Sequence, residues 1–298
     1  MSAHDSARAT GAARWSSALV VVVGFGAGCA SPVEPRVCNG HAELCARGFD
    51  EVAFAGSHNA MSSLDLGFDA PNQREDLQGQ LELGVRAFLI DTHFDSDGHV
   101  GLCHESCVLG EIPIVDGLRV FRTFLDAHPS DVIQLLIEDY PPPSALAPAM
   151  EQAGLVELAI VHDPGTPWPT LNALIDDGKR VFIGTEHSSP PPEWNQAMYL
   201  EYVDTPFTFH ALDDLAAPAS CDRNRGSDDN ALLLVNHWVE DPFPDESVAA
   251  LANAHDTLLA RALRCSAARR RFPNVIAVDF VGTGDLIRVV DELNGVAP

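Results

Sequence analysis

The chain has 298 residues, 46% hydrophobic and 20% charged, which excludes a disordered or multispanning protein and leaves room for one large α/β domain or two small ones. Its formal charge of −25 excludes a nucleic-acid partner, because phosphates require a basic face, and gives no long-range attraction to an anionic membrane. Any anionic substrate must meet positive charge supplied locally.

In chain order the first feature is an export segment, residues 1–29. Arg8 and Arg14 precede an apolar run from Ala18 to Ala27, shorter than the about 20 residues a membrane-spanning helix needs. Gly26, Ala27 and Gly28 lead to Cys29, which resembles the lipid-modified cysteine of bacterial lipoproteins, although Gly26 stands where leucine is usual. The expectation is an exported protein, either secreted or held at the membrane and cell surface through Cys29. Residues 30–37 read as a tether, and 38–298 as one domain.

From Val52 onward strand and helix signals alternate, the mark of βαβ units. Val52–Gly56, Val85–Asp91 and Val100–Cys103 read as strands. Between Asp116 and Ala127, Leu118, Phe121, Phe124 and Leu125 recur at helical spacing, and Pro129 is the stop. Val132–Ile137 is apolar throughout its second half, as a strand buried on both faces should be. There follow a helix near Ala145–Ala153, strands at Arg180–Gly184 and Leu232–Asn236, and a long helix over Ser247–Ser266. A strand at Val275–Phe280 and a helix at Asp285–Leu293 end the chain. From Ser188 to Asn230 loop signals dominate, with one strand near Met198–Val203. The expected fold is α/β, a distorted or incomplete (β/α)8 TIM-like barrel, for which about 250 residues suffice.

Five apolar runs stop on a residue that can trade protons or hold a metal: His58 with Asn59, Asp91, His104, Glu138 and Asp279. A strand does not need such an ending. Five of them suggest strands delivering side chains to one rim, which in a barrel is the catalytic face at the strands' C-terminal ends. Schiff-base chemistry has almost no candidate, since Lys179 is the one lysine.

With Cys29 set aside, six cysteines remain, an even number in an oxidising compartment. Six allow 15 pairings. Close spacing favours Cys38–Cys45 and Cys103–Cys107, leaving Cys221–Cys265; the rival for Cys103, His104 and Cys107 is a zinc site.

A lone histidine at a strand end is more often structural than chemical. His58 and His104 both end strands, however, and His104 lies between two cysteines that can rigidify its loop. Two histidines on one cavity suit a reaction that needs a base and an acid near neutral pH. Asn59, Asp91 and Glu138 form an oxygen-only set, which suits a hard cation such as Ca²⁺. Asp279 ends the last strand, which lies beside the first when a barrel closes, so it can orient His58.

Taken in order, GSHNAMSS, QLELGVRAFLIDTHFDSDGHVGLCHESC, DVIQLLIEDY and FPNVIAVDF resemble the X domain of phosphatidylinositol-specific phospholipase C, in particular exported X-domain proteins of plants and bacteria. The resemblance runs from about Cys38 to Asn294. It implies a distorted TIM-like barrel acting on a membrane phospholipid, cleaving a phosphodiester between diacylglycerol and inositol phosphate; a monomer is expected. On this reading His58, oriented by Asp279, deprotonates the inositol 2-hydroxyl, which attacks phosphorus to give a cyclic phosphate. His104 protonates the departing glycerol oxygen or stabilises the phosphorane. Some secreted bacterial members carry arginine where this chain has Asp91, whereas calcium-dependent members carry a carboxylate. With Asn59 and Glu138 matching further ligands, the resemblance implies Ca²⁺. The departure is Leu89, where calcium-dependent members have a second acid; one charged ligand fewer weakens a calcium site. His237 and Trp238, closing LLLVNHW, are the candidates for contact with the inositol ring.

Two rival readings carry different signatures. A glycerophosphodiester phosphodiesterase also uses two histidines, calcium and a barrel, but shows HRG and Glu-x-Asp where this chain has SHN and Leu-x-Asp. A non-catalytic lipid- or glycan-binding module would explain Leu89 but has no need for a base and its orienting acid.

Overall fold

The computed structural model describes residues 1–2, 10–11 and 35–297. Cys29, with nearly all of the expected export segment and part of the tether, lies outside the described residues. After 3-10 turns at Ala42–Leu44 and Phe49–Glu51 come β1 (Phe54–Ser57), α1 (Leu77–Glu82) and β2 (Ala87–Phe94). An antiparallel excursion through β3 (Val100–Leu102) and β4 (Ile112–Pro113) leads into α2 (Ile114–Ala127), β5 (Ile133–Asp139) and α3 (Pro143–Gln152). The chain continues through β6 (Ala159–Ile160), α4 (Leu171–Asp176), β7 (Val181–Thr185), β8 (Gln196–Ala197), α5 (Met198–Glu201), β9 (Tyr202–Asp204) and α6 (Leu212–Ala216). It ends with β10 (Leu232–His237), α7 (Glu246–Ala252), α8 (His255–Arg269), β11 (Pro273–Val278) and α9 (Leu286–Asn294).

The strands hydrogen-bond in the order β6-β7-β5-β2-β1-β11-β10-β9, parallel at every step. β8 pairs with the end of β7, and β9, which begins five residues after β8 ends, pairs with β10. One short segment thus links the two arms of a curled sheet, and α5 interrupts it. The result is an incomplete (β/α)8 barrel, in line with the irregular 188–230 stretch. The strand expected near Met198–Val203 is instead α5 followed by β9.

Two buried clusters follow from strand alternation. Phe88, Ile90, Leu135, Ile137, Leu233 and Val235 pack outward on the helices, joined by Leu118, Phe121 and Leu125 of α2. Phe54, Ala87, Leu136, Phe182, Leu234 and Ala277 fill the barrel interior. This parity decides which strand-end residues enter the mouth.

The helix expected over Ser247–Ser266 is two helices, broken after Ala252. The cause is tertiary: Asn253 is buried and its Nδ2 donates to the carbonyls of Asp279 (2.8 Å) and Thr283 (3.1 Å), so the break supports the end of β11. The disulfides are Cys38–Cys45, Cys103–Cys107 and Cys221–Cys265. The second takes both sulfurs out of the alternative zinc set; the third ties the 3-10 turn Pro218–Cys221 to α8.

Candidate active site

Extending the inward parity of each strand past its end predicts who faces the mouth. From Phe54 it reaches His58, from Ala87 Asp91, from Leu136 Glu138, from Leu234 Asn236 and Trp238, and from Ala277 Asp279. A cavity of about 470 Å³ opens there, lined by His58, Asn59, Asp91, His104, Glu138 and Trp238 among others.

A backbone hydrogen bond and the Gln73 side chain fix the backbone of His58 at the end of β1. Its N–H donates to the Val278 carbonyl (3.0 Å), and its own carbonyl accepts from Gln73 Nε2 (2.7 Å), which also donates to Val278 O (3.1 Å). The register pairing Ser57 with Val278 then sets Asp279 beside the ring, with Oδ1 2.8 Å from Nδ1. The Trp238 indole lies flat on the imidazole. Burial lowers the His58 pKa to about 4, against the pull of Glu240 and Glu138, so the ring is neutral and free to accept a proton. The other ring nitrogen makes no hydrogen bond among the described residues.

His104 follows Cys103, after β3, and is one of the three residues enclosed by the Cys103–Cys107 bridge. Burial lowers its pKa, as does the nearby His58, and both imidazoles line the one cavity. His58, His104 and Asp279 are thus brought together.

The oxygen donors sit on the neighbouring strands. Asp91 and Glu138 are partners in the β2–β5 register. Asp91 is 7% exposed, and its carboxylate receives no hydrogen bond from the described residues; burial, then Glu138, Glu186 and Glu105, push its pKa well up. Asn59 is buried beside His58 and adopts φ 43°, in the left-handed region that asparagine tolerates. A buried carboxylate without donors, in a row of acids, is the donor set of a hard cation, so the residues present fit Ca²⁺. Ligand atoms of Glu138, Glu186 and His187 lie within 4.8 Å of one another, a grouping that includes Glu138 but not Asp91.

His237 does not join the site. It has the outward parity of β10, is fully buried, donates from Nε2 to Ala252 O (2.9 Å) and accepts from Arg261 at Nδ1 (3.2 Å). Burial and the Arg261 charge lower its pKa to about 3. Its neighbour Trp238 lines the cavity instead, covering His58.

Three cavity residues were not singled out by the sequence. Glu186 follows β7 with inward parity and extends the acidic row. Arg225 is the one arginine or lysine among the described residues lining the cavity; it pairs with Glu186 (2.8 Å) and Asp204 (2.6 Å) and stacks on Tyr199 and Phe207. Glu240 lies past β10, where its Oε1 accepts from Asn72 Nδ2 (2.8 Å).

Solved structures share this architecture. A phosphatidylinositol-specific phospholipase C of Staphylococcus aureus superposes with a TM-score of 0.59 at 15% identity, covering 85% of this chain and 95% of that one, a likeness of fold. Among curated proteins, a PI-PLC X domain-containing protein 1 of Arthroderma benhamiae is 29% identical over 87% of this chain and 90% of its own length. A second Arthroderma benhamiae relative, named as an uncharacterized secreted protein, is 28% identical over 89% of this chain and 65% of its own. A PI-PLC X domain-containing protein of Arabidopsis thaliana is 24% identical over 83% and 62%. The PI-PLC_X family model (PI-PLC X 1) matches residues 44–294, and with the barrel and its mouth in place the chain belongs to that family.

Proposed function

We propose that the protein is a phosphodiesterase of the phosphatidylinositol-specific phospholipase C type, cleaving a lipid phosphodiester by histidine acid–base chemistry. The observation that carries this is the His58–Asp279 contact of 2.8 Å at a cavity shared with His104. Asp279 accepts the Nδ1 proton of His58 and so leaves Nε2 as the base. His58 takes the proton from a headgroup hydroxyl adjacent to the phosphate; that oxygen forms a bond to phosphorus as the bond to the glycerol oxygen breaks. His104 delivers a proton to the leaving oxygen, giving diacylglycerol and a cyclic phosphate. Asp279 stabilises the imidazolium formed on His58. Asn59, Asp91 and Glu138 would hold Ca²⁺, which when bound supplies positive charge to the phosphate oxygens.

Export is part of the same reading, supported by the residue pattern of 1–29 and by a relative named as secreted. Lipidation at Cys29 would hold the protein at a membrane.

The test offers phosphatidylinositol, a glycosylated inositol lipid and glycerophosphocholine, with calcium and with a chelator. Cyclic inositol phosphate is expected from the first or second, and not from His58→Ala or His104→Ala. Turnover of glycerophosphocholine alone would instead identify a glycerophosphodiester phosphodiesterase. Lipid binding without turnover would overturn the enzymatic reading.

A further inference from the structure

Asp279 has one oxygen doubly occupied and one idle. Oδ1 faces His58 Nδ1 (2.8 Å) and accepts from Asn72 Nδ2 (3.2 Å). Oδ2 is buried and has no hydrogen-bond partner among the described residues. Leaving a buried acceptor unpaired costs about 1–3 kcal/mol, and more for a charged one. A donor in this position would remove that cost.

The group at hand is Glu240. One of its oxygens lies within 4.8 Å of both a His58 ring nitrogen and an Asp279 carboxylate oxygen. Asn72 bridges the two acids with a single amide nitrogen, 2.8 Å from Glu240 Oε1 and 3.2 Å from Asp279 Oδ1. Two carboxyl groups this close in a buried setting do not both ionise. Burial raises the pKa of both acids, that of Asp279 well above the usual carboxylate range; the two N–H donors that converge on Asp279, against one on Glu240, favour the charge on Asp279 and the proton on Glu240.

We propose that Glu240 is a positioning residue that stays protonated and donates its O–H to Asp279 Oδ2, so that the two acids share one proton. This bond fixes the plane of the Asp279 carboxylate, which keeps Oδ1 on His58 Nδ1 and turns the opposite ring nitrogen to the cavity. Burial of Glu240 and the charge of Asp279 both raise its pKa, against the pull of His58. The hydrogen bond stands on geometry alone, whereas its effect on turnover rests on the phosphodiesterase reading.

Glutamine discriminates, because its carbonyl can accept from Asn72 while its amide donates to Asp279. In the full chain, Glu240→Ala is expected to lose ~10–100-fold in kcat with KM within ~2-fold, while Glu240→Gln stays within ~3-fold of wild type. Equal impairment of both variants, or full kcat in Glu240→Ala, overturns the proposal. If the wild type turns over none of the lipids, the phosphodiesterase reading fails and the hydrogen bond is still tested by ¹⁵N NMR of His58. The wild type and Glu240→Gln should then show one ring tautomer, protonated at Nδ1, and Glu240→Ala a mixture. An unchanged Glu240→Ala spectrum overturns it.

Discussion

The indole of Trp238 covers one face of the His58 ring, with centroids 3.6 Å apart and planes 7° from parallel, while Asp279 holds its edge. An aromatic face lies favourably against a cation, so Trp238 stabilises the imidazolium that forms when His58 takes its proton. It also prevents the ring from tilting. Trp238→Ala removes about 0.5–2 kcal/mol of that stabilisation, a loss of ~2–30-fold in kcat on a lipid phosphodiester. Trp238→Phe keeps the face and should retain most of the rate. A Trp238→Ala enzyme with raised KM and unchanged kcat would show that the indole binds headgroup rather than supporting the base.

His237, one residue away, gives the opposite expectation. It bridges Arg261 and the Ala252 carbonyl behind the barrel wall, so His237→Ala should cost about 1–3 kcal/mol for each group left unpaired, read by urea unfolding, with kcat and KM of the folded fraction unchanged. The pH dependence follows from its pKa, lowered from 6.5 to about 3 by burial and Arg261. A neutral folded histidine contributes stability that is complete above pH 6.5, where neither state holds the proton. Below that the unfolded chain takes the proton first, and the contribution declines until pH 3. Between those limits wild type should lose ~1.4 kcal/mol per pH unit relative to His237→Gln, measured as a difference in unfolding free energy. Parallel pH profiles for the two proteins would refute the assignment.

How much of this was legible in the chain depends on which force placed each residue. IQLLIED announces a strand buried on both faces, and its acidic end lands at the mouth because the barrel topology sends every parallel strand the same way. The same two-sided burial hides parity: nothing in LLLVNHW says whether His237 or Trp238 faces inward, and the answer came from packing around α8. Glu186 was reachable, being two residues past the inward Gly184. Arg225 was not, because DRNRGSDDN carries only turn signals and its ion pairs with Glu186 and Asp204 span 39 and 21 residues. Asn253 breaks a helix that the Ala- and Leu-rich sequence favours, and it does so through contacts with Asp279 and Thr283.

Asp91 provides a test of metal binding that needs no substrate. A buried carboxylate with no donor, facing Glu138 across the register and close to Glu186, is repelled by its neighbours until a cation arrives. Calcium should therefore raise Tm, corresponding to about 2.7 kcal/mol at a hundredfold excess over Kd. Chelation should reverse the shift. Asp91→Asn relieves the repulsion and weakens the site, so it should raise the metal-free Tm and shrink the response to calcium. The same calcium response in Asp91→Asn and wild type would remove Asp91 from the ligand set.

The Cys103–Cys107 bridge encloses His104 in a loop too short to reorient freely; Cys103 is buried, whereas Glu105 and Ser106 on the other side of His104 are exposed, so the bridge is what ties that side down. Cutting it should leave the barrel intact, since neither its β2–β5 centre nor its α2 packing depends on that loop. It should nevertheless displace the proton donor. A misplacement of about 1 Å at a reacting group can cost ~100-fold, so Cys103→Ser with Cys107→Ser should fall by ~10–100-fold in kcat while unfolding within about 1–2 kcal/mol of wild type. His104→Ala in that background should cost little more, because the two changes remove one function. An additive further loss would mean that His104 acts at full strength without its bridge.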